Sequence, residues 1–240
     1  MKSFKIQSII FLALSIAGAC QVWGSDLQTR QSNLYPYRST SFYQDDFNTG
    51  TITNGNIGSI GWQAAGTITN LTSETNRPGI VRFDTGAVSG TAARVHFSSS
   101  SAFEGSTPHI INFAVRLNTN DANTTIRIGS SSSVGANPPA NGIYIEKLDA
   151  DTNWFCVTRS GAVQTRTDSG VAVSTSFIAS SYRRSSSDVE FSINNTLVCT
   201  HTTNVPTAFL SPFVYIINSA AAAKTFDIDY ADVQIYGLSR

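Results

Sequence analysis

Close to its C-terminus the chain reads Asp227-Ile228-Asp229-Tyr230-Ala231-Asp232, three carboxylates in six residues. Apolar residues recur every second position at Phe226, Ile228 and Tyr230, then change phase to Val233 and Ile235. One extra residue near Ala231 accounts for the shift, as in a β-bulge. With that bulge Asp227, Asp229 and Asp232 share one strand face. Two chemistries suit such a face. Carboxylates are natural calcium ligands, so the three aspartates are a candidate metal set, and calcium is the only cofactor the sequence suggests. Glycoside hydrolysis needs two carboxyl groups, one of them held protonated. A polar, solvated strand face offers little desolvation to hold it so. The bland reading is structural hydrogen bonding, and no residue is assigned a catalytic role.

The other chemistry-bearing residues are scattered. The four glutamates, Glu74, Glu104, Glu146 and Glu190, form no catalytic pair by spacing. No Gly-x-Ser-x-Gly elbow is present, and the glycines make no phosphate loop. His96, His109 and His201 match no zinc spacing. Trp62, Tyr144, Trp154 and Tyr182 are candidate stacking surfaces for sugar rings, against the commoner use of such rings as core. Cys156 and Cys199 each lie in a strand-like run. They either pair as a disulfide or stay as two buried thiols.

These residues need a scaffold. Asn76 to Gly86 supplies its grammar: a Pro78-Gly79 turn with glycine at positive φ, then Ile80 to Asp84 alternating, with Arg82 and Asp84 on one side. Ala64 to Leu71, before it, is a short strand candidate, and Ala93, Val95 and Phe97 follow on one face. Ile111, Phe113, Val115 and Leu117 do the same in the run from His109 to Asn118, with Thr124 to Gly129 expected as its hairpin partner. About a dozen short strands separated by turns predict an all-β, two-sheet antiparallel sandwich. Ser219 to Lys224 is the one stretch outside the N-terminus that suits a helix or a connecting turn. Ser130 to Gly142 is the longest unpatterned loop and a candidate for recognition.

Charged residues are only 13% of the chain, 16 basic against 16 acidic. No basic surplus attracts nucleic acid. At the N-terminus Lys2 and Lys5 precede an eleven-residue apolar run, Ile9 to Ala19. It is too short for a transmembrane segment and right for a signal peptide. The expected division is a signal peptide over 1–19, with cleavage as late as residue 24, a polar linker over 20–41, and one β-sandwich domain over 42–240. Ile16-Ala17-Gly18-Ala19-Cys20 is similar to a loose lipobox, which would lipidate Cys20, and ordinary cleavage is the alternative. Either way the protein is expected outside the cytoplasm: secreted, periplasmic or at the cell surface.

A resemblance covers roughly residues 42 to 240. Asp45-Asp46-Phe47, Ile57 to Trp62, Asn76 to Ile80, Asn141 to Lys147, Asn153 to Thr158, Thr165 to Gly170 and Val189 to Val198 come in that order. Together they resemble a concanavalin A-like jelly-roll domain found in bacteriophage structural and tail-associated proteins. Asn195 stands where such domains usually place glycine, and asparagine tolerates the left-handed conformation. The signal peptide departs from virion proteins. The Asp227–Asp232 spacing is also similar to that of laminarinase-type glucanases, where one acid is the nucleophile and another the general acid, although here the strand is the last of the chain. The resemblance implies a non-catalytic jelly-roll module acting in surface recognition or structure, with a glycan or cell-surface polysaccharide as partner. The alternatives are a jelly-roll glycosidase or lyase, and a purely structural, phage-like virion or tail component.

Overall fold

A computed structural model describes residues 41–48, 57–97 and 102–237. The expected signal peptide, Cys20, most of the expected 20–41 linker and residues 49–56 lie outside the described residues. Sixteen strands and no helix make up the described chain: β1 (Ser41–Asp45), β2 (Gln63–Ala65), β3 (Thr67–Leu71), β4 (Ile80–Asp84), β5 (Ala92–His96), β6 (Phe103–Glu104), β7 (His109–Leu117), β8 (Thr124–Ser131), β9 (Gly142–Lys147), β10 (Asn153–Ser160), β11 (Val163–Ala172), β12 (Ile178–Arg184), β13 (Val189–Ile193), β14 (Thr196–His201), β15 (Phe209–Asn218) and β16 (Thr225–Ile235). The stretch Ser219 to Lys224 is a connecting turn.

Two antiparallel sheets form a sandwich. The first runs β14-β13-β12-β7-β16-β4-β3, with β1 also on β16; the second runs β11-β10-β9-β8-β15-β5-β2, with β6 also on β15. The alternation read from the sequence decides what lies between them. Ile111, Phe113, Val115 and Leu117 of β7, Val81 and Phe83 of β4, and Ala93 and Val95 of β5 all join one buried cluster. Phe83 and Phe226 stack across β4 and β16 with centroids 4.7 Å apart, a pairing worth about 0.5–1.5 kcal/mol beyond its buried area.

Three details differ from expectation. First, β8 does not pair with β7. It lies in the opposite sheet between β9 and β15, and its Ile126 and Ile128 reach the same core from the other side. Second, the single strand expected over Ala64 to Leu71 breaks at Gly66, φ +100°, so that β2 joins the second sheet and β3 the first. A Cβ at Gly66 would stand 2.7 Å from the Cβ of Ala93. Third, the positive φ of the Asn76–Gly79 turn falls on Asn76, not Gly79. Glycine is needed at 79 because the backbone of Asp46 to Asn48 passes where a side chain would be. The hairpin at Asn194-Asn195 behaves as expected, both residues being left-handed.

Cys156 on β10 and Cys199 on β14 are joined by a disulfide, which ties the two sheets together. A second tie is a buried chain of hydrogen bonds. The His109 ring nitrogen Nδ1 lies 2.6 Å from the Thr107 carbonyl and Nε2 lies 2.9 Å from the Tyr182 hydroxyl. That hydroxyl is 2.5 Å from Ser130 Oγ on the other sheet. A carbonyl can only accept, so Nδ1 carries the proton, Tyr182 donates to Nε2 and Ser130 donates to Tyr182. Burial pushes the His109 pKa down to about 4 and the Tyr182 hydroxyl up, so both stay neutral.

Candidate functional site

The strand that carries the three aspartates is the last in the chain but central in its sheet, flanked by β7 and β4. The register against β7 shifts between Ile228, opposite Val115, and Tyr230, opposite Ala114. Asp229 is therefore the extra residue, two positions before the expected one. Ala231 takes the core place, and Tyr230 stands outside the core cluster.

Each aspartate meets a different set of donors. Asp227, fully enclosed, accepts from Arg82 at 2.7 and 2.9 Å, from Arg116 at 3.0 and 2.7 Å, and from Asn118 at 2.9 Å. Burial alone would raise its pKa, but these donors outweigh it and hold the carboxyl below its usual range. Arg116 also reaches Glu74 at 2.9 Å. Asp229 pairs with Arg77 at 2.5 Å, and Asp232 accepts from Asn112 at 3.1 Å and Gln234 at 3.0 Å. Burial pushes the carboxyls of Asp229 and Asp232 up. The guanidiniums of Arg77 and Arg116 lie 3.9 and 4.5 Å from the Phe177 ring centroid.

The face is thus a network of ion pairs. The expectation of a metal set at Asp227, Asp229 and Asp232 is corrected: arginines pair with Asp227 and Asp229, and Asp232 accepts from the amides of Asn112 and Gln234. Among the described residues no three His, Cys, Asp or Glu side chains are placed to hold an ion. The four aromatic candidates are also relocated. Trp62, Trp154 and Tyr182 are buried in the main core, Trp62 against the rings of Phe47, Phe97 and Phe113. Tyr144 is enclosed on the outer side of the second sheet. A sugar cannot stack on enclosed rings.

That outer side is the feature sequence reasoning missed. Strand registers align a rank across it: Arg94 on β5, Tyr215 on β15, Arg127 on β8, Glu146 on β9, Phe155 on β10 and Asp168 on β11. The next rank holds His96, Phe213, Gly129, Tyr144, Val157 and Arg166 in the same strand order. Tyr144, Val157, Phe213 and Tyr215 form a second apolar cluster with Val134 from the loop after β8. That loop, expected as a recognition element, packs onto this face: Asn137 accepts from Arg127 at 2.5 Å, and Val134 and Pro139 are buried.

The electrostatics of this face are unbalanced. Glu146 is buried and accepts from Arg127 at 3.0 Å and Arg166 at 2.7 Å, and Arg166 also pairs with Asp151. The Arg166 guanidinium stacks 3.5 Å from the Phe155 centroid. Arg94 and Arg159 have no carboxylate partner among the described residues, and the Nε of each is buried without a hydrogen bond. Both arginines are half-buried. Burial pushes the Tyr215 hydroxyl up, while the charges of Arg127 and Arg94 draw it back down. Elsewhere, a cavity of about 390 Å³ is lined by Asn120, Asp121, Asp149, Asp151, Thr152 and Val173. Its carboxylates are already engaged by Lys224, Thr124, Thr125 and Arg166.

Comparison with known proteins identifies the family. Residues 76–229 match the family described as SO2946-like, C-terminal domain. The chain belongs to the SO2946-like family. No curated protein matches it. Among solved structures, the protein of unknown function SO2946 from Shewanella oneidensis MR-1 is similar with TM-score 0.61 and 13% identity, over 100% of each chain. The Bacillus licheniformis β-glucanase gives TM-score 0.55 and 14% identity, over 84% of this chain and 100% of that one. The carbohydrate recognition domain of Emp47p gives 0.56 and 11%, over 82% and 95%. At such identities the likeness shows the fold alone: an all-β, concanavalin A-like jelly-roll sandwich, shared by glucanases and carbohydrate recognition domains. None of the structures named here is a bacteriophage protein, and they lend no support to the phage side of the resemblance.

Proposed function

We propose that this member of the SO2946-like family is an exported, non-catalytic carbohydrate-binding module. Its ligand lies on the outer face of the second sheet. One observation carries the reading. That face carries two half-buried arginines, Arg94 and Arg159, each with its Nε buried and without an acceptor among the described residues. Glycan sites fix the orientation of their ligand with a few precisely placed polar groups. Support comes from the shared fold, which serves a carbohydrate recognition domain in one similar structure and a β-glucanase in another. The carboxylates of β16 support binding over hydrolysis, since Asp227 and Asp229 are held by arginines. Export is proposed from Lys2, Lys5 and the apolar run Ile9 to Ala19. In that setting Cys20 is either lipidated or removed.

The test is a glycan array probed with the mature protein, paired with reducing-sugar release from a polysaccharide panel. Binding without release is expected. Release by the wild-type protein that Asp229→Asn abolishes, at unchanged melting temperature, would replace the module by an enzyme. No binding to any glycan would end the carbohydrate reading.

A further inference from the structure

The ranks on the second sheet say more about the ligand, provided that it is a glycan held on that face. Arg94, Tyr215 and Arg127 stand side by side on three neighbouring strands. Adjacent strands lie about 4.8 Å apart, so the two arginines flank the tyrosine with roughly 9–10 Å between their backbones. Arg127 is committed to Glu146 and Asn137. Arg94 is not committed to anything among the described residues, and its Nε is buried without an acceptor. The loop leaves it in place: a Cβ at Gly135 would stand 3.3 Å from its Nη1. Arg159, farther along the same face, has its own Nε buried and unaccepted and gives one bond, to Gln164 at 2.8 Å.

A half-buried guanidinium without an acceptor costs free energy, because its donors lose water and gain nothing. The protein has equal numbers of acidic and basic residues, so excess positive charge here reflects placement, not composition. Glu146 and Asp151 already offset Arg127 and Arg166. Asp168, at the far end of the first rank, accepts from Asn153, and Arg94 and Arg159 remain without a carboxylate in ion-pair reach among the described residues. A planar, bidentate donor suits a carboxylate or sulfate carried on a sugar ring.

We infer that the ligand is an acidic polysaccharide. Its carboxylate or sulfate group sits against the Arg94 guanidinium, with Arg159 meeting a second acidic group along the chain. Uronate and sulfate ester present the same chemistry to Arg94, and the assay separates them.

The experiment is affinity electrophoresis and titration calorimetry of the mature protein against polygalacturonate, dextran sulfate, neutral dextran and polyglutamate. Retardation by one of the two acidic polysaccharides is expected, with weaker or no interaction with dextran and polyglutamate. The polymer that binds identifies the acidic group. Arg94→Gln should weaken binding by about tenfold to a hundredfold, the loss of a charge-assisted contact. Its melting temperature should hold, because Arg94 has no hydrogen-bond or ion-pair partner among the described residues. If Arg94→Gln fails to fold, Arg159→Gln takes its place and should weaken binding severalfold. Equal binding to dextran, with Arg94→Gln unaffected, would overturn the acidic ligand while leaving the carbohydrate module standing. Equal binding to polyglutamate would reduce the face to unspecific charge attraction and overturn the inference. No binding to any polysaccharide would overturn both readings.

Discussion

Asp227→Asn tests the ion-pair network on the first sheet. The substitution keeps size and shape but removes the charge at the centre of five hydrogen bonds from Arg82, Arg116 and Asn118. It also puts an amide donor against guanidinium donors. Breaking a buried ion pair by removing one partner costs about 3–5 kcal/mol. The Arg82 and Arg116 side chains are 36% and 20% exposed, and Arg116 keeps Glu74. Both can turn partly into water, so the low end applies, about 3 kcal/mol. For a chain of this size each kcal/mol shifts Tm by about 2–4 °C, giving a drop of roughly 6–12 °C at pH 7 by calorimetry. The pH dependence gives a second arm. The Asp227 carboxyl is held below its ordinary value in the folded protein. Its contribution is therefore complete above the unfolded value, about 3.9, and is lost as pH falls through the lower folded one. The gap between wild type and variant should hold down to about pH 4 and close below it. A Tm drop under about 2 °C at pH 7, or a gap unchanged in acid, would refute the network as a stabilising feature.

Three further outcomes follow from the same geometry. Reducing the Cys156–Cys199 disulfide, which closes 43 residues, should cost about 4 kcal/mol on the chain-entropy relation; a Cys156→Ala/Cys199→Ala variant with an unchanged urea midpoint would contradict this. Asp232→Asn should raise Tm slightly at pH 7, because burial pushes that carboxyl up and its charge is a burden above the folded pKa. The gain should vanish as acid protonates the wild-type group, and a loss of stability at pH 7 would sink the idea. Lys147→Met should lower Tm by more than 5 °C, since the buried ammonium donates to the carbonyls of Asp121, Thr124, Leu148 and Asp149 at 2.8–3.2 Å. Leaving those acceptors without a donor costs about 1–3 kcal/mol for each one that water cannot reach, and a variant as stable as wild type would show that water replaces the ammonium.

The sequence makes the inward faces legible, because a two-residue period decides which side chains point inward whatever the sheet. Hence β7, β5 and β4 bury the residues expected of them. It does not make sheet membership legible: β8 has the right alternation but belongs opposite β7, and nothing local encodes that. The strand β12 carries no continuous apolar alternation, because Ser180 occupies an inward position where an apolar residue would have marked it. At the site, the phase change on β16 revealed a bulge and three acids on one side. It could not reveal their partners, since Arg82 and Arg116 lie 145 and 111 residues away in sequence. The ranks on the second sheet were invisible for the same reason. Arg94, Tyr215 and Arg127 become neighbours only through register. The aromatic candidates failed on burial: Trp62 and Trp154 have the ring area to dock a sugar, and the same area makes them core.

A glycan held on the outer face of the second sheet would perturb that face and spare β16. An NMR titration of the mature protein with the best glycan from the array tests it most directly, by following the arginine Nε–H signals and the backbone amides. Arg94 Nε–H and the amides of residues 92–96 and 213–217 should shift with ligand, while those of residues 227–232 stay in place. Shifts centred on residues 227–232, Arg82 and Arg116 instead, or no shift with any glycan, would contradict it.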